Sequence, residues 1–299
     1  MISLSKIEKH TDEFRQWLES RSYSPRTRQT YYLSVKGFLT ANPWGDEYQY
    51  SDIVTYFEGL TRSHLSIATR KDILIHLKRY YDFLVHTKKR KDHPCAGFFL
   101  KGAKDQGVIQ SDLFAMEELE QLMNRQEGWG KQPLRNRLIF SLYIYQALTS
   151  EEIYKLMLAD VDLDKGYIKV RGGRRRNSRI LEIKPSQYGL IHDYLREERK
   201  VLAKKGSPPV FILNQYGNAS SHDSVCDTLL PVKEWFPGRQ LNALTIRQSV
   251  FSYWLNVLKV PIEDVQLLTG IRWVSSLERY QHITESEEQE MMKKFHPLG

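Results

Sequence analysis

Leu138-Ile-Phe-Ser-Leu-Tyr-Ile-Tyr-Gln-Ala-Leu-Thr-Ser-Glu-Glu-Ile153 opens as an apolar run and closes on an acidic turn, Ser150-Glu-Glu152. The run is too long and too uniformly apolar for a half-exposed strand, so it reads as a buried helix. Downstream, Asp160-Val-Asp-Leu-Asp-Lys-Gly166 has turn chemistry, and Tyr167-Ile-Lys-Val170 and Arg179-Ile-Leu-Glu-Ile183 are short β-rich runs. Between those two runs lies Arg171-Gly-Gly-Arg174-Arg175-Arg176-Asn177, a glycine-opened arginine loop that reads as a hairpin tip. Upstream, Met116-Glu-Glu-Leu-Glu-Gln-Leu122 opens a helix. Helical patterns resume over 186–204, a stretch rich in Pro and Gly covers 206–240, and three further helical patterns close the chain. The region from residue 113 onward is therefore expected to be mainly α with one small antiparallel sheet.

The first hundred residues read as four helices. Ile7, Phe14, Trp17 and Leu18 recur at helical spacing. Ser24-Pro25-Arg26-Thr27 is a helix start, with Ser24 as N-cap and Pro25 pre-set at the first helical position. Behind it Tyr31, Val35, Phe38 and Leu39 form one stripe, and Asn42-Pro43 ends it. Asp52 is expected to open a third helix carrying Ile53, Tyr56, Phe57 and Leu60. Ser66 begins a fourth, with Ile73, Leu74, Leu77, Tyr80, Tyr81 and Leu84 inward. The run Lys88-Lys89-Arg90-Lys91 then leads through Pro94 and Gly97 to Lys101-Gly-Ala-Lys104. Gly, Lys and Pro concentrate there, as in a linker. The expected organisation is a helical domain over 1–100, a linker over 101–112 and a second domain over 113–299.

Charge is spread unevenly across these parts. The 299 residues carry a formal net charge of +8, and residues 1–104 hold 18 Lys and Arg against 11 Asp and Glu. The remainder is nearly balanced, with 26 against 25. A basic first third suits a polyanionic partner, although a solvated basic surface gives the same count. The two cysteines, Cys95 and Cys226, form neither a CxxC pair nor a disulfide framework, which fits a reducing cytoplasm. The start, Met1-Ile-Ser-Leu-Ser-Lys6, lacks an apolar signal core, and no window approaches 18 apolar residues, so no membrane partner is expected.

Read in order, these patterns resemble the tyrosine recombinase (phage integrase) family over nearly the whole chain. Ser24-Pro-Arg-Thr27 with Tyr31, Phe38 and Leu39, and Ser66-Ile-Ala-Thr69 through Tyr80-Tyr-Asp-Phe83, are similar to the family's helical SAM-like core-binding domain. The family's first catalytic box, Gly-Leu-Arg-x-x-Glu-Leu, corresponds to Ala147-Leu148-Thr149-Ser150-Glu151-Glu152-Ile153, so Thr149 stands where the family has arginine. The hairpin lysine position falls at Gly173 or Arg174, with Lys169 earlier in the strand. The second box, His-x-x-Arg-His, corresponds to Leu244-Thr-Ile-Arg247-Gln248. Leu268-Thr-Gly270-Ile271 is similar to the next segment, with Ile271 where His or Trp is expected. Tyr280, in Glu278-Arg-Tyr-Gln-His282, occupies the nucleophile position. The end, Phe295-His-Pro-Leu-Gly299, resembles a short tail helix that related recombinases dock on a neighbouring subunit.

The resemblance implies a two-domain fold, a helical core-binding domain plus an α+β catalytic-type domain, acting on double-stranded DNA. It further implies a homo-oligomer on DNA or a partner recombinase held through the tail. The implied reaction is attack of a tyrosine oxygen on a phosphodiester, leaving a 3′-phosphotyrosyl link and a 5′-hydroxyl. Arginine forks suit the charge on the non-bridging oxygens, and lysine or histidine suits proton delivery. No metal or other cofactor is needed. In this chain Arg247 and Tyr280 match, whereas Thr149, Arg174, Leu244, Gln248 and Ile271 depart from the pattern. Losing one such donor costs roughly 3–4 kcal/mol of transition-state stabilisation. Weakened or lost strand cleavage is the expected consequence, with an accessory or regulatory role. The alternatives are a working recombinase whose arginine loop stands in for Thr149, and a helical interaction module without DNA. No clustered carboxylates and histidines point to a metal nuclease.

Arg26, Arg28, Arg70 and Lys71 at helix starts, and Arg174, Arg175 and Arg176 in the loop, are the expected DNA contacts. For Arg247 the rival reading is a structural ion pair with Glu152. A shifted alignment could recruit His282, His222 or His192 as a replacement acid or base, or Arg272 or Trp273 in place of Ile271.

Overall fold

A computed structural model describes residues 4–102, 112–125, 127–173 and 176–281, with side chains from residue 8. The chain divides into two compact units, Met1–Asp105 and Gln106–Gly299.

The first unit contains four helices, α1 (Leu4–Glu19), α2 (Pro25–Ala41), α3 (Tyr50–Arg62) and α4 (Ile67–His86). The expected starts of α2 and α4 rest on hydroxyl caps. Ser24 Oγ accepts from Thr27 N at 3.1 Å, and Ser66 Oγ accepts from Thr69 N at 3.1 Å. The start of α3 differs from expectation. Asp52 is its third residue rather than its opener, because its carboxylate reaches back to accept from Gln49 N at 2.8 Å. The apolar stripes then converge on one core containing Phe14, Leu18, Val35, Phe38, Ile53, Phe57, Leu77 and Tyr80. Tyr81 is wholly buried there and donates to the Gly45 carbonyl at 2.5 Å.

The second unit is organised around α6 (Pro133–Gln146), which follows α5 (Met116–Asn124). Ten of the fourteen α6 residues are buried, on every side of the helix. That explains why its sequence is apolar without a polar face. Its one buried cation, Arg135, is satisfied locally: Nε donates to Leu213 O at 2.7 Å, and the other nitrogens reach Asn136, Ser220 and Ser224. The helix stops because Ala147 takes a left-handed conformation, φ 48°. Two residues later the chain starts again as α7 (Ser150–Lys155), capped by Thr149. The segment expected to be an acidic turn is thus a short helix, since Thr149 and Glu152 form a reciprocal capping box.

Strands β1 (Val161–Asp162), β2 (Tyr167–Val170) and β3 (Arg179–Glu182) form an antiparallel sheet in the order β1-β2-β3. The β2–β3 register pairs Val170 with Arg179 and Lys169 with Ile180. Alternation buries Ile168, Val170, Arg179 and Leu181 and turns Lys169 and Ile180 outward. After the sheet come α8 (Pro185–Asp193), a wide π turn (Tyr194–Glu198) and α9 (Arg199–Leu202). The Pro- and Gly-rich stretch 206–240 is less irregular than its composition implies. It holds α10 (His222–Cys226), capped by Ser221, and a 3₁₀ run over Asp227–Trp235. Helix α11 (Ala243–Ser252) continues through a π turn to Val257, α12 (Ile262–Thr269) ends at Gly270, and residues 275–281 are helical. The expected tail helix at Phe295–Gly299 and His282 lie outside the described residues.

Because α6 is enclosed by the rest of its unit, truncating it leaves a void that cannot collapse. Leu142→Ala is expected to cost about 2–5 kcal/mol, read as a shift in the urea midpoint with unchanged slope.

Candidate active site

Thr149 lines an open cavity, but its hydrogen bonds are made within its own turn. Its backbone N–H and its hydroxyl both donate to Glu152 Oε2, each at 2.9 Å. The other oxygen of that carboxylate, Oε1, faces the sheet and accepts from Arg179 Nη1 at 2.7 Å. Arg176 Nε approaches the same oxygen at 4.0 Å. Burial by itself would raise the Glu152 pKa. The hydrogen bond and charge of Arg179, the Thr149 amide and the charge of Arg176 outweigh it, and the carboxyl lies below its ordinary value.

Arg179 is a functional residue that the motifs did not single out. It sits on the inward face of β3 with Leu181, and its Nε donates to Leu268 O at 2.8 Å, tying the hairpin to the end of α12. The period-two alternation that buries Leu181 puts Arg179 on the same face, which is the signal the sequence offered. Gly270, φ +66°, lies against this guanidinium: an added Cβ would come 2.8 Å from Arg179 Nη1 and 2.8 Å from Asn177 O. Asn177 N donates to Gly270 O at 2.8 Å, and Arg272 Nη2 donates to Gly173 O at 3.1 Å. Arg272 therefore braces the hairpin.

Arg247 lies in the middle of α11, 6% exposed. Its Nη2 donates to Thr269 O at 3.3 Å, its guanidinium stacks 4.8 Å from the Phe251 ring centroid, and its Nε is buried with no partner. The ion pair with Glu152 considered from sequence belongs to Arg179 instead. Burial first, then repulsion by Arg176 and Arg179, holds Arg247 down to about 9 against the pull of Glu152 and Tyr280. Burial likewise lowers Arg176. Both groups remain cations at neutral pH. Tyr280, 7% exposed, packs edge-on against Phe251 with ring centroids 5.3 Å apart, so the tyrosine and the arginine have this phenylalanine as a common neighbour.

An open cavity of about 870 Å³ lies beside this cluster, lined by Thr149, Glu152, Arg171, Arg176, Leu244 and Arg247 among others. Leu244, where the family pattern has histidine, is exposed on its wall. Gln248 is half-buried on α11, Ile271 pairs through its backbone with Arg176, and neither lines the cavity. Lys169 is on the outer face of β2 and is likewise outside the lining. His222 does line it, with Nδ1 3.1 Å from Asp223 Oδ1, whereas His192 does not and Trp273 is exposed. Arg174 and Arg175 lie outside the described residues. Arg26 and Lys71 are exposed and Arg28 half-buried in the first unit, and Arg70 donates to the Thr61 hydroxyl. Among the described residues no group of three or more His, Cys, Asp or Glu could hold a metal ion, and no helix is long and apolar enough to cross a membrane.

The fold and the cavity define a class: a mainly helical chain with a buried, cation-rich centre built where a three-stranded sheet meets α7, α11 and α12. The pattern of the phage integrase family matches residues 113–287. The chain belongs to that family of tyrosine recombinases. It is 26% identical over 288 residues to the tyrosine recombinase XerC of Halalkalibacterium halodurans, covering 93% of each chain. In fold it is similar to the XerH site-specific recombinase bound to difH, a pre-cleavage complex, with TM-score 0.68, 19% identity and coverage of 97% of this chain and 84% of that one. It is also similar to a lambda integrase dimer bound to a COC′ core site, with TM-score 0.68, 13% identity and coverage of 92% and 94%.

The Glu152 pairing carries a pH signature. Its lowered folded pKa contributes stability above the unfolded glutamate value, about 4.3, that is lost as pH falls through the folded value. Glu152→Gln is expected to flatten the acid limb of a stability–pH curve, read by urea unfolding between about pH 7 and 3. Glu152→Ala, which strands a buried Arg179, is expected to cost about 3–5 kcal/mol at neutral pH.

Proposed function

We propose that this protein binds duplex DNA at specific sites and transfers strands through Tyr280, with cleavage slower than a full set of family side chains would allow. The observation that carries this reading is Arg247. It is a buried guanidinium with an unpartnered Nε, it opens onto the cavity, and it packs on the same Phe251 ring as Tyr280. A buried cation with a free donor is costly unless an anion completes it, and a phosphate fits a guanidinium fork.

In the proposed step the Tyr280 oxygen forms a bond to phosphorus, the bond to the 5′ oxygen breaks, and the phenolic proton passes to solvent. The departing 5′ oxygen takes up one proton. Leu244 and Ile271 have no side-chain proton to give and Gln248 is not an acid, so the proton comes from water or from His222, which lines the cavity. This is the physical ground for weakened cleavage. Tyr280 is 7% exposed and packs on the same Phe251 ring as Arg247, which keeps the two side chains in one neighbourhood. The dimeric, DNA-bound state of the similar lambda integrase supports an oligomer of this chain on its DNA.

A second reading, a subunit that binds the recombination site without cutting, is favoured by the same neutral groups at 244, 248 and 271. One assay separates the two. A nicked duplex carrying the native site should yield a covalent protein–DNA adduct that disappears in Tyr280→Phe, while DNA binding persists. Arg247→Ala should slow adduct formation by about 10²–10³. No adduct from the wild-type chain, with binding intact, would leave only the non-cutting reading. Several phosphate contacts should also make affinity fall steeply with salt, each contact adding a slope of about −0.9 in log K against log salt. A flat salt response would remove both.

A further inference from the structure

We infer that Arg176, delivered by the β2–β3 hairpin, supplies the guanidinium that position 149 lacks and forms with Arg247 a two-arginine clamp for one phosphate. The inference rests on the proposed reading of Arg247 as a phosphate ligand and extends it to a residue outside the recognised boxes.

The first argument is where Arg176 reaches. Thr149 occupies Glu152 Oε2 from one side, while Arg176 comes to within 4.0 Å of Oε1 from the sheet side. Helix α7 presents one carboxylate, and a cation arrives at it by a different route. Arg176 also lines the same cavity as Thr149, Glu152 and Arg247.

The second argument is unused hydrogen-bonding capacity. Arg176 Nη1 and Arg247 Nε are both buried without a partner. Buried donors left unsatisfied cost about 1–3 kcal/mol each, so native chains retain them where a ligand completes the set. Arg179 Nη2 is buried without a partner too, but Arg179 holds the carboxylate at 2.7 Å, is tied to Leu268 O and is absent from the cavity lining, so it serves as the support.

The third argument is charge. Glu151 and Asp160 also line the cavity but pair with Lys155 and Arg171, which leaves the guanidiniums at 176, 179 and 247 against the carboxylate of Glu152. An anion of one or two charges restores the balance that this low-dielectric pocket lacks.

The fourth is rigidity. Gly173 N donates to Arg176 O at 2.9 Å, the backbone of Arg176 also pairs with Ile271, and Asn177 N donates to Gly270 O. Gly172 makes this turn possible, because a Cβ there would stand 2.7 Å from Ser178 N. The hairpin stem is thus pinned to the end of α12, and the Arg176 side chain starts from a fixed backbone rather than a free loop. That is what a phosphate ligand requires.

The test uses the full chain and inorganic phosphate, read as the midpoint of the rise in melting temperature against chloride at matched ionic strength. Wild-type protein should be stabilised by phosphate. Arg176→Ala should melt normally without phosphate but need about tenfold more of it, and Arg176→Lys, which keeps charge but loses the fork, should fall between. Thr149→Arg in the Arg176→Ala background should bring the midpoint back to within about threefold of wild type, a rescue by relocation that a structural role for Arg176 would not show. Lys233→Ala, an exposed control, should change nothing. Absence of a phosphate effect in wild type, or an unchanged midpoint in Arg176→Ala, overturns the inference. If Arg176→Ala fails to fold, the Arg176→Lys midpoint decides: a value equal to wild type overturns it. The nicked-duplex assay is kept separate. Wild-type protein that binds phosphate through Arg176 yet forms no adduct defeats cleavage by Tyr280 and leaves the clamp standing. A normal adduct rate in Arg176→Ala defeats the clamp and leaves Tyr280 standing.

Discussion

The carboxylate of Glu152 joins the helical and the β parts of the second unit. One oxygen accepts from the amide and hydroxyl of Thr149 and so closes the first turn of α7. The other accepts from Arg179 and faces Arg176, which fixes the sheet against that helix. Arg179 in turn reaches the carbonyl end of α12 at Leu268. Three segments far apart in sequence are therefore linked through one buried charge. Such a pair is expensive to desolvate and tolerable only when nearly every lone pair and proton is used, which is the case on the carboxylate side. On the cation side it is not the case. Guanidiniums outnumber carboxylates there, and donors of Arg176, Arg179 and Arg247 are unpartnered, which is the ground for proposing an anion at this structural knot.

The same surplus explains why the chain can depart from its family at several positions and still hold a coherent centre. Thr149 brings no charge, but it is not a vacancy: it caps α7 and orients Glu152. The positive charge enters instead along β3 and the hairpin. Of the proton-handling positions, 244 is an exposed leucine and Lys169 is turned away, and among the described residues His222, 3.1 Å from Asp223, is the histidine in the cavity wall. Binding a phosphate and protonating a leaving group are separate tasks.

Much of this was legible from residue order. The hydroxyl caps at Ser24 and Ser66, the apolar run of α6 and the two β-rich runs around a glycine-opened loop follow from local rules. They require only the geometry of one turn or one strand. The expectations that needed correction fail for a local reason too. Asp52 and Glu152 are third residues of capping boxes, so an acidic residue that looked like a helix opener or a turn belongs inside the helix. The stretch 206–240 looked irregular because Pro231 and several glycines mask the cap at Ser221 and the 3₁₀ run behind it. Arg179 was missed because it stands at no position of the recognised boxes. The register with β2 makes it the inward one, and Ile180 is 65% exposed.

By itself the sequence determined the helices, the hairpin, the family resemblance and the presence of Arg247 and Tyr280 at matching positions, since each depends on spacing within about twenty residues. Only the tertiary structure decided which cation pairs with Glu152, that Arg176 and Arg247 share one cavity, and that Arg247 and Tyr280 both pack on Phe251. Those outcomes turn on the packing of β3, α7, α11 and helix 275–281 around a charge that no single segment can satisfy. Partner choice in a low-dielectric interior is set by distances of a few ångströms between segments some thirty to 130 residues apart, and no local pattern encodes them.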